Sequence, residues 1–254
     1  MKKTLKLISA AAFMACATTV AQAQVSLIPR FGLNFSNFGG TGSKYGRLSA
    51  SDGTLSATLK TVTGFSFGLG FEIPFNDILA IQPEVNFTQF GGYSEVSDLG
   101  GAKTSNQVIS NNIQVPVFLK AKFGSDAVKF SVFAGPYAAV CLSGTIKTEG
   151  PSAANPAIKI TESNDLNFRK SGSEDPSNDD YRRIDLGAQG GIGVSFNIGI
   201  GMLGLDARYN FGLANLTQTD PFNVAGNSRD QTKDYVYNRS IMFGVTYAIP
   251  LGGK

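Results

Sequence analysis

The sequence predicts an all-β chain folded as an eight-stranded antiparallel up-and-down transmembrane β-barrel, with short periplasmic turns and long extracellular loops. Eight segments alternate apolar and polar residues with period two, as strands with two different faces do. Tight turns and long polar connections follow one another along the chain. An export signal precedes all of this, and no later apolar run is long enough to cross a bilayer as a helix.

The signal comes first. Met1-Lys-Lys-Thr-Leu-Lys6 is a short basic region, an apolar run extends from Leu7 to Ala17, and Ala21-Gln-Ala23 supplies small residues for cleavage. Residues 1–23 are therefore read as a cleaved secretory signal peptide and 24–254 as a single barrel domain. A lipoprotein cleavage ahead of Cys16 is the weaker reading of the same region. Lys2, Lys3 and Lys6 account for the whole formal charge of +3, so the remaining chain is balanced and gives no reason to invoke nucleic acid. Cys141 would be the one cysteine left, which excludes an intramolecular disulfide.

The strands follow in order. Pro29–Phe35 sets Phe31, Leu33 and Phe35 against Arg30 and Asn34. Phe65–Ile73 is aromatic and aliphatic at odd positions, with Ser66, Gly68, Gly70 and Glu72 between them. Leu79–Gln89 opposes Ile81, Val85 and Phe87 to Gln82, Glu84 and Asn86. Ile113–Phe123 has every odd position apolar and carries Gln114, Lys120 and Lys122 on the other face, with Pro116 and Phe118 as exceptions. In Val128–Leu142, Lys129, Ser131 and Gly135 form the polar register, which Phe133 and Tyr137 break. Arg183–Phe196, Leu203–Leu213 and Ser240–Leu251 complete the set, with Arg183, Asp185, Asp206 and Arg208 among their polar positions.

Pro74–Ile78, Gly124–Ala127 and Asn197–Gly201 are tight turns rich in Asn, Asp and Gly. Ser36–Thr63, Tyr93–Asn112, Gly144–Arg182 and Ala214–Asn238 are long and polar. The parity puts both termini on the short-turn side. Pro83, Pro116 and Pro136 each remove a ladder donor, so a bulge or local break is expected at each.

Three arguments turn the apolar face toward lipid rather than toward a soluble core. The polar face is rich in Gly, Ser, Asn and Gln, which suits a crowded lumen better than a water-exposed surface. The loop asymmetry is systematic. Phe (19) and Tyr (8) are abundant enough to form an interfacial girdle without Trp. A lipid-facing Arg or Lys at the midplane costs roughly 2–4 kcal/mol. Arg30, Glu72, Glu84, Lys120, Lys122, Lys129, Arg183, Asp185, Asp206 and Arg208 share the polar face, and together they would overwhelm the stability of a fold if placed in lipid. They are expected to form a lumenal ionic network of structural character, because an unpaired buried charge is expensive. An eight-stranded lumen is just wide enough for side chains to fill.

Catalytic chemistry finds little support. The absence of His excludes a Ser-His-Asp triad and His-ligated metals, so no enzyme and no cofactor are expected. Gly199-Ile-Gly201-Met-Leu-Gly204 spells a dinucleotide fingerprint but leads into a strand pattern, leaving no helix N-terminus for a pyrophosphate. Glu174, Asp175, Asp179 and Asp180 cluster in the longest loop, where a solvated loop competes with a weak divalent-ion or lipopolysaccharide-bridging site.

Ile113–Phe123 with Lys129-Phe-Ser-Val-Phe-Ala-Gly-Pro-Tyr137, Phe31-Gly-Leu-Asn-Phe-Ser-Asn37, and Leu205-Asp-Ala-Arg-Tyr-Asn-Phe-Gly212 resemble the PorT-like outer-membrane β-barrel family common in Bacteroidetes. The resemblance covers nearly the whole mature chain and implies an eight-stranded barrel in the outer membrane of a Gram-negative bacterium. Its name-giving member is associated with protein secretion, and no motif here carries that role over. The expected function is a structural or interaction scaffold with a filled lumen. The alternatives are a narrow channel for small solutes or an accessory component of outer-membrane protein secretion. Expected partners are outer-membrane lipid and lipopolysaccharide, the barrel-insertion machinery, and surface or secretion-system proteins. Gly244, Tyr247 and Ile249 give a G-x-x-aromatic-x-apolar spacing that such machinery could read, displaced from the chain end.

Overall fold

A computed structural model describes residues 24–39, 49–50, 53–54, 56–97, 103–152, 158–165, 183–216 and 236–251. Eight long strands form the wall: β1 Ser26–Gly39, β2 Val62–Pro74, β3 Leu79–Ser97, β4 Lys103–Gly124, β5 Val128–Pro151, β6 Ile184–Asn197, β7 Met202–Gly212 and β8 Tyr237–Pro250. Each pairs antiparallel with its sequence neighbours, and β1 pairs with β8 to close the ring. Closure leaves no exposed strand edge in the bilayer, which is the condition for a sheet to cross one. No helix among the described residues is long and apolar enough to span.

The ring is staggered. From Arg30 the pairings run through Gly68, Asn86, Gln114 and Ala139 to Asp185 on β6. In the other direction they run through Thr246 and Gly204 to Ser195, also on β6 and ten residues further along. A closed barrel must carry such a shear because its strands tilt. Inward residues of one pleat therefore climb a spiral, and charges distant in sequence reach the same depth.

Short turns gather at one end. Asn76 Oδ1 accepts the amides of Ile78 (2.9 Å) and Leu79 (2.7 Å) between β2 and β3. Ser125 closes the β4–β5 turn on Val128 (2.9 Å), preceded by Gly124 at φ 126°, where a side chain would be strained. Asn197 Oδ1 accepts the Gly199 amide (2.8 Å), and Ile198 donates to Gly201 (3.0 Å) between β6 and β7. The G-x-G-x-x-G spelling is thus a strand-to-strand turn leading into β7.

The outer wall is apolar along all eight strands. Phe31, Phe67, Leu119, Val132, Ile192, Leu205 and Phe243 are among the large apolar side chains it exposes. Phe65, Phe67 and Phe87 stack across β2 and β3 at centroid distances of 5.1–6.3 Å. Aromatic residues lie along the strands as well as near their ends.

One expectation is corrected and a second is narrowed. The Tyr93–Asn112 connection is mostly strand: β3 and β4 stay paired from Ser97↔Lys103 downward, and β5 continues to Pro151. Short strands at Ser56–Lys60 and Lys159–Asp165 add to β3 and β5, so a sheet projects beyond the barrel. These stretches are polar on both faces because both are wet, which removes the period-two signal. The prolines do not shift the register. Pairing on either side of Pro83, Pro116 and Pro136 keeps one alignment, and the irregularity lies at Asn111/Asn112 opposite Cys141 and Ser143. The expected local breaks are present instead: the ladder skips Phe71 and Glu72 opposite Pro83 and Gln82, Glu84 and Val85 opposite Pro116 and Val115, and Val117 and Phe118 opposite Pro136 and Gly135, while the pairs on both sides hold the strands in place. The signal segment 1–23 and the cluster Glu174, Asp175, Asp179 and Asp180 lie outside the described residues.

Candidate functional site

Alternation along every strand sends one set of side chains into the lumen, and their polar ends must then find one another. At the periplasmic mouth, Glu72 of β2 receives both lysines of β4: Lys120 at 2.8 Å on one carboxylate oxygen and Lys122 on the other. Lys120 also donates to Gln82 Oε1 (3.0 Å), and Gln82 Nε2 donates to Glu84 (2.6 Å). Gln82 so joins this cluster to the next.

Above it lies a buried quartet from β1, β3 and β7. Arg208 grips Glu84 with both terminal nitrogens (2.7 and 3.1 Å) and reaches Asp206 Oδ2 (3.0 Å). Arg30 holds Asp206 through Nε (3.0 Å) and Nη2 (2.7 Å) and donates to Ser66 (2.9 Å). Asn86 donates to the second oxygen of Glu84 (2.8 Å). Two arginines thus balance two carboxylates in paired fork geometry, the form that best repays desolvation. The Arg208 guanidinium also lies 5.2 Å from the Phe118 ring centre and 5.1 Å from that of Phe133.

Higher in the lumen, a network of amides and a phenol surrounds the acid Asp185. Gln114 donates to Asn210 (2.8 Å), Asn210 to Tyr137 Oη (3.1 Å), and Tyr137 to Asp185 (3.0 Å), which also accepts from Asn238 (2.8 Å).

Of the ten charges expected inside, Arg30, Glu72, Glu84, Lys120, Lys122, Asp206 and Arg208 form one connected chain. Three do not join it. Lys129 sits at the periplasmic rim 3.8 Å from the exposed Asp126. Arg183 is exposed at the extracellular start of β6. Asp185 is buried but is held by Tyr137 and Asn238 rather than by a cation. Alternation reports the face of a residue and not its depth, and these three lie near strand ends. Phe118, Phe133 and Tyr137, which seem to break the pattern in sequence, are lumenal filling.

Glycines seat these groups. A Cβ at Gly244 would stand 2.5 Å from Arg30 Nη2 and 2.7 Å from its Cζ, so the guanidinium lies directly on the bare wall of β8. A Cβ at Gly191 would meet the Phe133 ring at 2.8 Å. Gly244→Ala is expected to push Arg30 off Asp206 and to cost about 1–3 kcal/mol by overpacking. The check is urea unfolding followed by circular dichroism, with Gly190→Ala as a comparison, since a Cβ there meets nothing closer than 3.4 Å.

Among the described residues there is no group of three or more potential metal ligands. The arrangement is a cross-linked interior. A family model described as "Outer membrane protein beta-barrel domain" matches residues 20–218. No curated protein matches the chain. Among solved structures it is similar to the outer membrane protein OprG from Pseudomonas aeruginosa, with 14% identity, TM-score 0.48, and coverage of 90% of this chain and 98% of that one. It is also similar to Ail of Yersinia pestis, with 15% identity, TM-score 0.34 and coverage of 89% and 99%. Neisserial surface protein A follows with 12% identity, TM-score 0.35 and coverage of 88% and 97%.

Proposed function

The chain belongs to the outer membrane protein β-barrel domain family, and from that premise we propose that it is a non-catalytic, plugged barrel that anchors a projecting extracellular sheet as an interaction scaffold. It is an integral protein of the Gram-negative outer membrane. One observation carries the scaffold reading: Arg30, Glu84, Asp206 and Arg208 are all at most 9% exposed while bonded across the lumen from β1, β3 and β7. Ions would have to break those forks to pass, and each fork is worth far more in the low-dielectric interior than in water. Above the plug, the prolonged β3, β4 and β5 with their two added strands form the surface a partner would meet. The PorT-like resemblance supports placing the protein in that subgroup, with a secretion partner as the finer proposal.

Planar-bilayer recording of refolded protein tests the plug. The expected result is no steady conductance in molar salt; a stable open level would establish the narrow-channel alternative instead.

A further inference from the structure

Below the plug, the periplasmic mouth is not filled. A cavity of about 520 Å³ is lined by Glu72, Lys120, Lys122, Lys129, Ser195 and Thr246, among others, from all eight strands. Three ammonium groups and the Arg208 guanidinium thus face two buried carboxylates, Glu72 and Asp206, of which Asp206 is paired with Arg208 in the plug above (3.0 Å). Both oxygens of Glu72 are already engaged, one by each lysine of β4. An ammonium has three N–H donors. Lys120 uses two of them, on Glu72 and Gln82, and Lys122 bonds only Glu72 among the described residues. Asp126, the third acid of the lining, is fully exposed and 3.8 Å from Lys129, so water screens it. With Arg208 and Asp206 cancelling, the cavity holds about two positive charges beyond its buried acids, inside low-dielectric walls that focus the field. Lys122 is 17% and Lys129 37% exposed in their side chains, so a solute from the periplasm can reach both.

We propose that this vestibule binds the phosphate group of a small soluble phosphate monoester. A dianion matches the charge excess, lysines serve as point-charge partners for phosphate oxygens, and the Ser195 and Thr246 hydroxyls add donors on the facing wall. The volume exceeds that of inorganic phosphate and leaves room for a short alcohol or sugar. The ligand enters from the periplasm, and the site stands whether or not the lumen above it conducts.

The test is calorimetric titration of the refolded chain, in dodecyl maltoside and phosphate-free buffer, with glycerol 3-phosphate. Saturable binding of one ligand per chain is expected, about tenfold weaker in Lys122→Gln and in Lys129→Gln and unchanged in Lys147→Gln, which lies on the projecting part of β5. Heat-modifiable gel migration verifies that each variant is folded. Absence of saturable binding to the folded wild type, or equal weakening by Lys147→Gln, overturns the proposal. Added phosphatidylglycerol should not compete; competition would assign the lysines to a lipid headgroup and overturn the soluble ligand.

Discussion

Glu84→Ala will destabilise the barrel by about 3–5 kcal/mol, because it leaves the Arg208 guanidinium buried with half its partners gone. Arg208 is 3% exposed and donates both bonds of its fork to Glu84. Gln82 and Asn86 lose their acceptors at the same time. Trp is absent, so unfolding is best followed by circular dichroism in urea together with the loss of heat-modifiable migration. Glu84→Met combined with Arg208→Met should cost clearly less than Glu84→Ala alone, since the pair is then replaced by apolar volume and no charge is stranded. If the double variant were the worse of the two, the quartet would be contributing net stability beyond mutual neutralisation.

Leu205→Arg is the second large effect, expected at about 2–4 kcal/mol for a cation placed in the hydrocarbon. Leu205 is 52% exposed on the outer wall at mid-strand on β7. Its neighbour across the β6–β7 ladder offers a control one pleat away: Ser195 pairs with Gly204 and lines the periplasmic cavity. Ser195→Arg would point into the periplasmic cavity rather than into lipid and is expected to cost less than Leu205→Arg. Equal damage from the two substitutions would remove the main support for the direction of the wall.

All eight strands were legible as alternation, and their order as turns of unequal length. What alternation could not supply was depth and partnership. Arg30 and Asp206 are 176 residues apart and meet only because the ring is staggered; nothing in either strand encodes that offset. The same limit explains Arg183 and Lys129, which share a face with the quartet but not its level. Asp185 looked equivalent to Asp206 in sequence, yet the spiral sets it beside Tyr137 and Asn238. Alternation understates the lengths of β3, β4 and β5 where they leave the membrane, because solvent on both sides imposes no period-two pattern. Phe118, Phe133 and Tyr137 were readable as exceptions. Their seats were also in view, since Gly187 and Gly191 lie at lumenal positions of β6 under the Tyr137 and Phe133 rings.

The β1–β8 pairing has a consequence for biogenesis. The first strand to leave the ribosome finds one of its two neighbours only in the last, so the wall has a seam that stays open until the whole chain has been delivered. Every other strand can begin pairing with a sequence neighbour at modest loop-closure cost, whereas this contact spans nearly the full chain and forms late. A chain truncated before Tyr237 would lose more than one strand's share of its contacts. It would present two unsatisfied edges to lipid, where no water can bond them. Insertion is thus all-or-none in chain length, and the seam is the point at which a partly exported chain is distinguished from a finished one.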